Sequence, residues 1–281
     1  MAVTREETLA QSRANWTRAA PSWEREGDLV AATTRAVTDA LLDAAGVVPG
    51  QRVLDVAGGT GDPSGRLAAA VGPTGRVTCS DLTPAMLDGA RRRVAAANLD
   101  LVAASAEALP FPETTYDAVV ARFGVMLFAD PAAGVAEMLR VARPGATVAA
   151  AVWGAPERNP YLSVPIGALA RVGGVPPAPP DAPGVFRLAA SGRLAALFAP
   201  GRARAVTEER RPFLMEGPLA REEFWPFLLR LASPTRMALS ALPLDVQERV
   251  GEAVREGVAP YFARGAMRFP AEMVVVHAIR V

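Results

Sequence analysis

The segment Val53-Leu54-Asp55-Val56-Ala57-Gly58-Gly59-Thr60-Gly61 sets a turn of small residues between an apolar run and a helical pattern. A turn lacking Cβ atoms lets the backbone approach a ligand closely. The helix that follows offers free N–H groups and a positive end to an anionic group such as a carboxylate. Twenty residues past Gly61, at the end of the next apolar run, stands Asp81. An acid there can accept hydrogen bonds from both hydroxyls of a ribose, so strand, glycine turn, helix, strand and acid together describe a site for a nucleoside-containing cofactor. The dinucleotide fingerprint is incomplete, because the third glycine expected after Gly59-x-Gly61 is replaced by Ser64.

The elements that must position these residues follow from periodicity. Leu29–Ala45 has helical spacing and ends at Gly46. Strands are expected at Arg52–Val56, Arg76–Ser80, Leu101–Ala104, Tyr116–Arg122 and Thr147–Trp153. Asp62-Pro63 fits an N-cap with proline in the first helical position, Thr83-Pro84 opens a helix to about Ala97, and a further helix runs from about Ala132 to Val141. Such alternation implies right-handed crossovers and a mainly parallel sheet, a doubly wound α/β core. Beyond Trp153 helices are expected at Pro160–Val172, Leu188–Phe198, Arg221–Ala232, Thr235–Leu242 and Leu244–Val258, with the proline-rich VPPAPPDAPG as a connector. Two last strands fall at Arg202–Met215 and Ala271–Val281. The chain is therefore read as one domain of 281 residues. Its core is residues 44–153 plus the strands near 202–215 and 271–281, and its helical cap comes from 1–43, 154–201 and 216–270.

Composition removes several chemistries. All 30 basic residues are Arg and none is Lys, which excludes Schiff-base mechanisms and a Walker-type phosphate loop. One Cys, Cys79, and one His, His277, leave too few ligands for a zinc site built from those residue types, and no metal is expected. A net charge of +1 argues against a nucleic-acid partner. No apolar run approaches the roughly 20 residues that span a bilayer, and the N-terminal residues have no apolar leader, so a cytoplasmic protein without a membrane partner is expected.

Four blocks in order, VLDVAGGTGD, SDLTPAML, ASAEALPFPETTYD and MLRVARPG, resemble the class I S-adenosylmethionine-dependent methyltransferases, in the ubiquinone/menaquinone C-methyltransferase-like branch. The resemblance implies a Rossmann-like, seven-stranded, mostly parallel sheet and S-adenosyl-L-methionine as cofactor. By position, it implies that the turn Ala57, Gly58, Gly59, Thr60 and Gly61 contacts the methionine moiety. Asp55 would help hold that turn, Asp81 would bind the ribose and Leu82 would pack on the adenine. Ser105 and Ala106 would bond the adenine edge, and the backbone of Arg122 would meet the cofactor's amino group. Three residues depart from the family pattern: Ala57 for a common glycine, Ser105 for Asp or Asn, and Arg122 for the Ser of the quinone enzymes. The last, with Ala151-Val152-Trp153-Gly154 at the following strand end, points away from a prenylated quinol, and residues 155–281 resemble bacterial small-molecule methyltransferases, often of natural-product type.

The acceptor is then a small metabolite, apolar or aromatic, with Trp16, Trp23, Trp153, Tyr161 and Trp225 as pocket residues. Trp16 and Trp23, seven apart, share a helix face and could equally pack that helix on the core. No residue is assigned as catalytic acid or base: Glu107 reads as a turn cap, and His277 as a strand residue. Cys79 reads as a small buried hydrophobe, and the arginines at 202, 204, 210 and 211 as a solvated strand face. Composition leaves monomer and homodimer both open.

Overall fold

The computed structural model describes residues 4–198, 201–262 and 265–281; residues 1–3, 199–200 and 263–264 of the expected cap lie outside them. Three helices come first: α1 (Arg5–Arg25), α2 (Gly27–Thr33) and α3 (Arg35–Ala45). The alternating core follows as β1 (Arg52–Val56), α4 (Ser64–Val71), β2 (Arg76–Asp81), α5 (Pro84–Arg93), β3 (Leu99–Ala103), β4 (Tyr116–Arg122), α6 (Pro131–Val141) and β5 (Ala142–Trp153). The chain continues through α7 (Pro160–Arg171), β6 (Ala203–Gly217), α8 (Arg221–Leu231), α9 (Ser233–Ser240), α10 (Leu244–Val258) and β7 (Met267–Arg280).

The seven strands form one sheet in the order β3-β2-β1-β4-β5-β7-β6. Pairing is parallel from β3 to β5, whereas β7 runs antiparallel to both β5 and β6. Alternate residues of the central strands enter different cores. Leu54, Val56, Val119 and Val148 pack in one, and Val53, Val77, Val120 and Ala149 in the other, with Val37 and Leu41 of α3. Both faces are covered, as apolar parallel strands require. Strand order reverses between β1 and β4, and the crevice at their carboxyl ends is where such sheets hold ligands.

Several boundaries differ from the sequence expectation, for identifiable reasons. The helix expected over Leu29–Ala45 breaks at Thr34. Thr33 and Thr34 both turn their hydroxyls back onto carbonyls of the preceding turn, Thr34 Oγ1 to Val30 at 2.7 Å, which competes with the helical ladder. Asp62 does not cap α4, whose cap position is Pro63; the Asp62 carboxylate is 2.6 Å from Arg122 instead. Helix α5 stops at Arg93, because Val94 turns extended and packs on Gly61 and Gly65. Only Ala195–Phe198 of the expected helix 188–198 is helical, as one 3-10 turn. Gly192 there has φ +76°, and the Gly192 and Ala195 amides donate to the Glu208 carboxylate at 2.8 and 3.2 Å. Strands β6 and β7 pair on from Phe213–Ala271 to Gly217–Met267, beyond the last β5 pair, Trp153–Met273.

Candidate functional site

At the switch point the chain leaves β1 through Ala57 and β4 through Phe123, and both residues take φ of +57°. Left-handed backbone is uncommon for alanine and an outlier for a bulky aromatic, so the fold holds both against local preference. The loops touch: a Cβ on Gly124 would lie 2.8 Å from that of Ala57.

Within the turn the glycines do different work. A Cβ on Gly58 would fall 2.5 Å from Cys79 Sγ and 2.7 Å from Asp55 Oδ2, so this position is closed by the protein itself. Gly59, at φ +56°, would carry a Cβ with nothing within 4 Å. Its N–H donates to Asp81 Oδ2 at 3.1 Å, while the Thr83 N–H donates to Asp81 Oδ1 at 2.9 Å. A carboxylate has about four acceptor positions, so Asp81 can still receive a pair of hydroxyls. It is 9% exposed, and burial pushes it up to about 6 against the lowering by those two amides.

Asp55 lies below the turn. Ser64 Oγ donates to its Oδ2 at 2.5 Å, and its Oδ1 is buried without a partner. Burial pushes Asp55 up to about 7; the Ser64 bond and the Arg122 charge oppose that, and the charges of Asp62 and Asp81 add to it.

Leu82 follows Asp81, half-buried. The Ala104 amide donates to the Asp81 carbonyl at 2.9 Å, which brings half-buried Ser105 and Ala106 to the same edge. The structure thus gathers Ala57, Gly58, Gly59, Thr60, Gly61, Asp81, Leu82, Ser105 and Ala106 at the carboxyl ends of β1, β2 and β3. Glu107 is spent on structure: its Oε1 accepts from the Asp130 amide at 3.0 Å, and its Oε2 from Arg5 Nε at 2.6 Å.

That Arg5 pair fastens one end of α1 beside the β3 loop. At the other end Thr60 Oγ1 is 3.5 Å from the Trp23 carbonyl, Arg92 makes two 2.6 Å bonds to Glu24, and Trp23 Nε1 donates to the Leu231 carbonyl at 3.0 Å. Helix α1 therefore lies across the edge from the β3 loop to the glycine turn. Trp16 and Trp23 meet edge to face at 5.8 Å on it, over Ala19, Ala20 and Met86.

The expected pocket aromatics do not form one ring cluster. Trp153 stacks on Phe123 at 4.3 Å and on Phe213 at 6.0 Å. Tyr161 belongs to a second group with Phe224 and Phe269, and Trp225 lines a cleft of about 400 Å³ against α10 with Leu239, Gly251 and Arg255. The backbone between Trp153 and Tyr161 is clamped by Asn159, which is fully buried: its Nδ2 donates to the Ala155 carbonyl at 2.9 Å and its Oδ1 accepts from the Glu272 amide at 3.0 Å. His277 sits in β7 with its ring 2.9 Å from Thr207 Oγ1, and Cys79 is buried in β2.

One participant, Phe123, and one side-chain role, that of Arg122, escape the sequence reading. Phe123 carries no motif signal; its left-handed backbone shows only in the fold. The Arg122 side chain does not point into solvent at the strand end but is buried, bonding Thr34, Thr38 and Asp62.

The residues fit a nucleoside cofactor with an anionic end: an open left-handed glycine at a helix entrance, beside an acid with spare acceptor positions. Residues 32–164 match the ubiE/COQ5 methyltransferase family. The ubiquinone/menaquinone biosynthesis C-methyltransferase UbiE of Shewanella halifaxensis is 41% identical over 108 residues, 37% of this chain and 43% of that protein. UbiE of Ectopseudomonas mendocina is 40% identical over 126 residues, 43% of this chain and 49% of that one. The chain thus spans less than half the length of these curated relatives. Among solved structures, the YcgJ protein of Bacillus subtilis superposes with a TM-score of 0.55 at 19% identity, over 87% of this chain and 98% of that one. A putative methyltransferase from an antibiotic biosynthesis pathway of Anabaena variabilis gives 0.53 at 18%, over 85% and 96%. These two share the fold over most of the chain. Over residues 32–164, just under half of its length, the chain is similar to the ubiE/COQ5 methyltransferases, and over most of its length it shares the fold of these solved structures.

Proposed function

We propose that the protein transfers a methyl group from S-adenosylmethionine to a small, largely apolar or aromatic metabolite, as a cytoplasmic enzyme of secondary metabolism. The observation that carries the reading is the pairing of Gly59, open on its Cβ side, with buried Asp81 at the sheet's switch-point edge. The cofactor supplies a methyl carbon already activated on a sulfonium. Asp81 accepts from the ribose hydroxyls. The amides at the entrance to α4 face the carboxylate, and Leu82, Ser105 and Ala106 border the adenine.

Helix α1, fastened at both ends, keeps water from the transfer, and the Phe123–Trp153–Phe213 stack offers a flat apolar wall to the acceptor. In-line positioning of acceptor and methyl carbon can supply roughly 7–11 kcal/mol, so the reaction is carried by placement. No base is assigned: the single histidine is in β7 beside Thr207. Because no base is assigned, retention of the cofactor without methyl transfer is a competing reading, which labelled-methyl transfer into a metabolite pool would dispose of.

Calorimetric titration of S-adenosylmethionine and S-adenosylhomocysteine into the protein and into folded Asp81→Ala tests the site. Micromolar binding lost in the variant supports the reading; no binding of either compound by the unaltered protein removes it. The identity to UbiE over 108 residues favours a quinone-pathway C-methyltransferase as second reading. Residues 165–281 lie outside the family match, and turnover of a demethylated quinol would decide for it.

A further inference from the structure

Beneath the glycine turn, Arg122 joins three separate pieces of chain. From the end of β4 its Nη1 donates to Thr34 Oγ1 and to Thr38 Oγ1, each at 2.9 Å. Its Nη2 donates to the Asp62 carbonyl at 2.9 Å, and Nη1 stands 2.6 Å from Asp62 Oδ2. The side chain of Arg122 is 7% exposed and that of Asp62 15%, so little solvent screens the pair. Thr34 is the joint between α2 and α3, and Asp62 follows Gly61 directly.

A guanidinium can serve these partners at once because its donors are spread around a rigid plane; an ammonium has three donors at a single point. Asp62 is thereby held through its carbonyl by a hydrogen bond and through its buried carboxylate by charge, since both Nη1 hydrogens go to the threonines and Oδ2 accepts no hydrogen bond from the described residues. Asp81 is held separately through the Thr83 amide, so the ribose end does not depend wholly on this network.

We infer that Arg122 is a positioning residue: through Asp62 it holds the turn Gly59–Asp62 in the shape that receives the methionine end of the cofactor, and through Thr34 and Thr38 it ties that shape to the joint between α2 and α3. The inference rests on the cofactor reading above. It makes the side chain of Arg122, whose donors are taken up by Thr34, Thr38 and Asp62, a determinant of how one half of the cofactor is held.

Two ligands separate this role from simple stability. S-Adenosylhomocysteine carries the methionine-derived end, and 5′-methylthioadenosine lacks it. Both are titrated calorimetrically into the unaltered protein, Arg122→Gln, Arg122→Lys and the milder Asp62→Asn, with folding checked by circular dichroism. In Arg122→Gln the homocysteine compound is expected to bind about tenfold or more weaker, as befits lost charge-assisted bonds, with the methylthio compound within about twofold. Arg122→Lys should recover part of the difference. If Arg122→Gln does not fold, Asp62→Asn must show the same selective loss. Equal weakening of both ligands, or of neither, overturns the inference. Failure of the unaltered protein to bind either ligand removes the cofactor reading and this inference with it, an outcome distinct from binding that the variants leave unchanged.

Discussion

Gly59 donates its backbone N–H to Asp81 Oδ2 at 3.1 Å, which locks the turn after β1 to the acid that ends β2. The turn and the acid, which in the proposed reading face the methionine and ribose ends of the cofactor, thus share one hydrogen-bonded frame, pinned again through the Thr83 amide. Its cost is two carboxyl groups held out of water, Asp81 and, below it, Asp55.

Those two carboxyls should shape the stability of the ligand-free protein. Burial raises Asp55 from 3.8 to about 7 and Asp81 from 3.8 to about 6. The folded chain therefore holds more protons than the unfolded one between about pH 4 and 7. The stability these groups contribute is full below about pH 4 and lost as pH rises through 6 and 7. Scanning calorimetry should show Tm declining from about pH 5 to 8, and Asp55→Asn should flatten the decline and raise Tm at the alkaline end. A flat profile for the unaltered protein would contradict the burial of both groups.

The two central glycines should separate fold from binding. In Gly58→Ala the new methyl meets Cys79 Sγ and Asp55 Oδ2, an overpacking that costs about 1–3 kcal/mol or more and should lower Tm clearly. In Gly59→Ala the methyl enters open space at a cost of about 1–2 kcal/mol for the left-handed backbone, and should weaken S-adenosylhomocysteine binding by more than Tm accounts for. Equal loss of binding and stability in both variants would refute the distinction.

Helix α1 should govern ligand exchange. The Arg5–Glu107 pair has half of the arginine in solvent, so Arg5→Ala removes about 1 kcal/mol or less of attachment. Stopped-flow displacement should show S-adenosylhomocysteine leaving a few times faster, with Tm nearly unchanged. An unaltered release rate would mean that this end of α1 stays in place during exchange.

Tyr161 is 8% exposed among Phe224, Phe262 and Phe269, and burial drives its phenol well above the usual range. No protein group among the described residues bonds its hydroxyl. Tyr161→Phe should therefore leave Tm within about two degrees, since the hydroxyl contributes no bond to the fold. A fall in Tm of several degrees would show that the hydroxyl has a partner in the folded state.

Much of the core was legible before the fold was known, because its signals are local. β1 and β4 fall on their expected bounds, and α10 runs Leu244–Val258 as its periodicity indicates. Short-range rules failed where a side chain served a distant partner. Asp62 looks like an N-cap but is claimed by Arg122, 60 residues away, and Thr34 breaks a helix that its neighbours' pattern would continue.

By itself the sequence determined the alternation of strand and helix, the small-residue turn with Asp81 at the end of the next strand, and the absence of lysine. Each depends on residue type and spacing within a few turns of chain. Tertiary structure alone decided that the Arg122 side chain binds Thr34, Thr38 and Asp62, that Trp153, Tyr161 and Trp225 join different groups, and that α1 lies across the sheet edge from the β3 loop to the glycine turn. These contacts link residues tens of positions apart, and an apolar stripe looks the same whether it packs on a core or covers a site. Only the closing of the helices over the sheet selects between them.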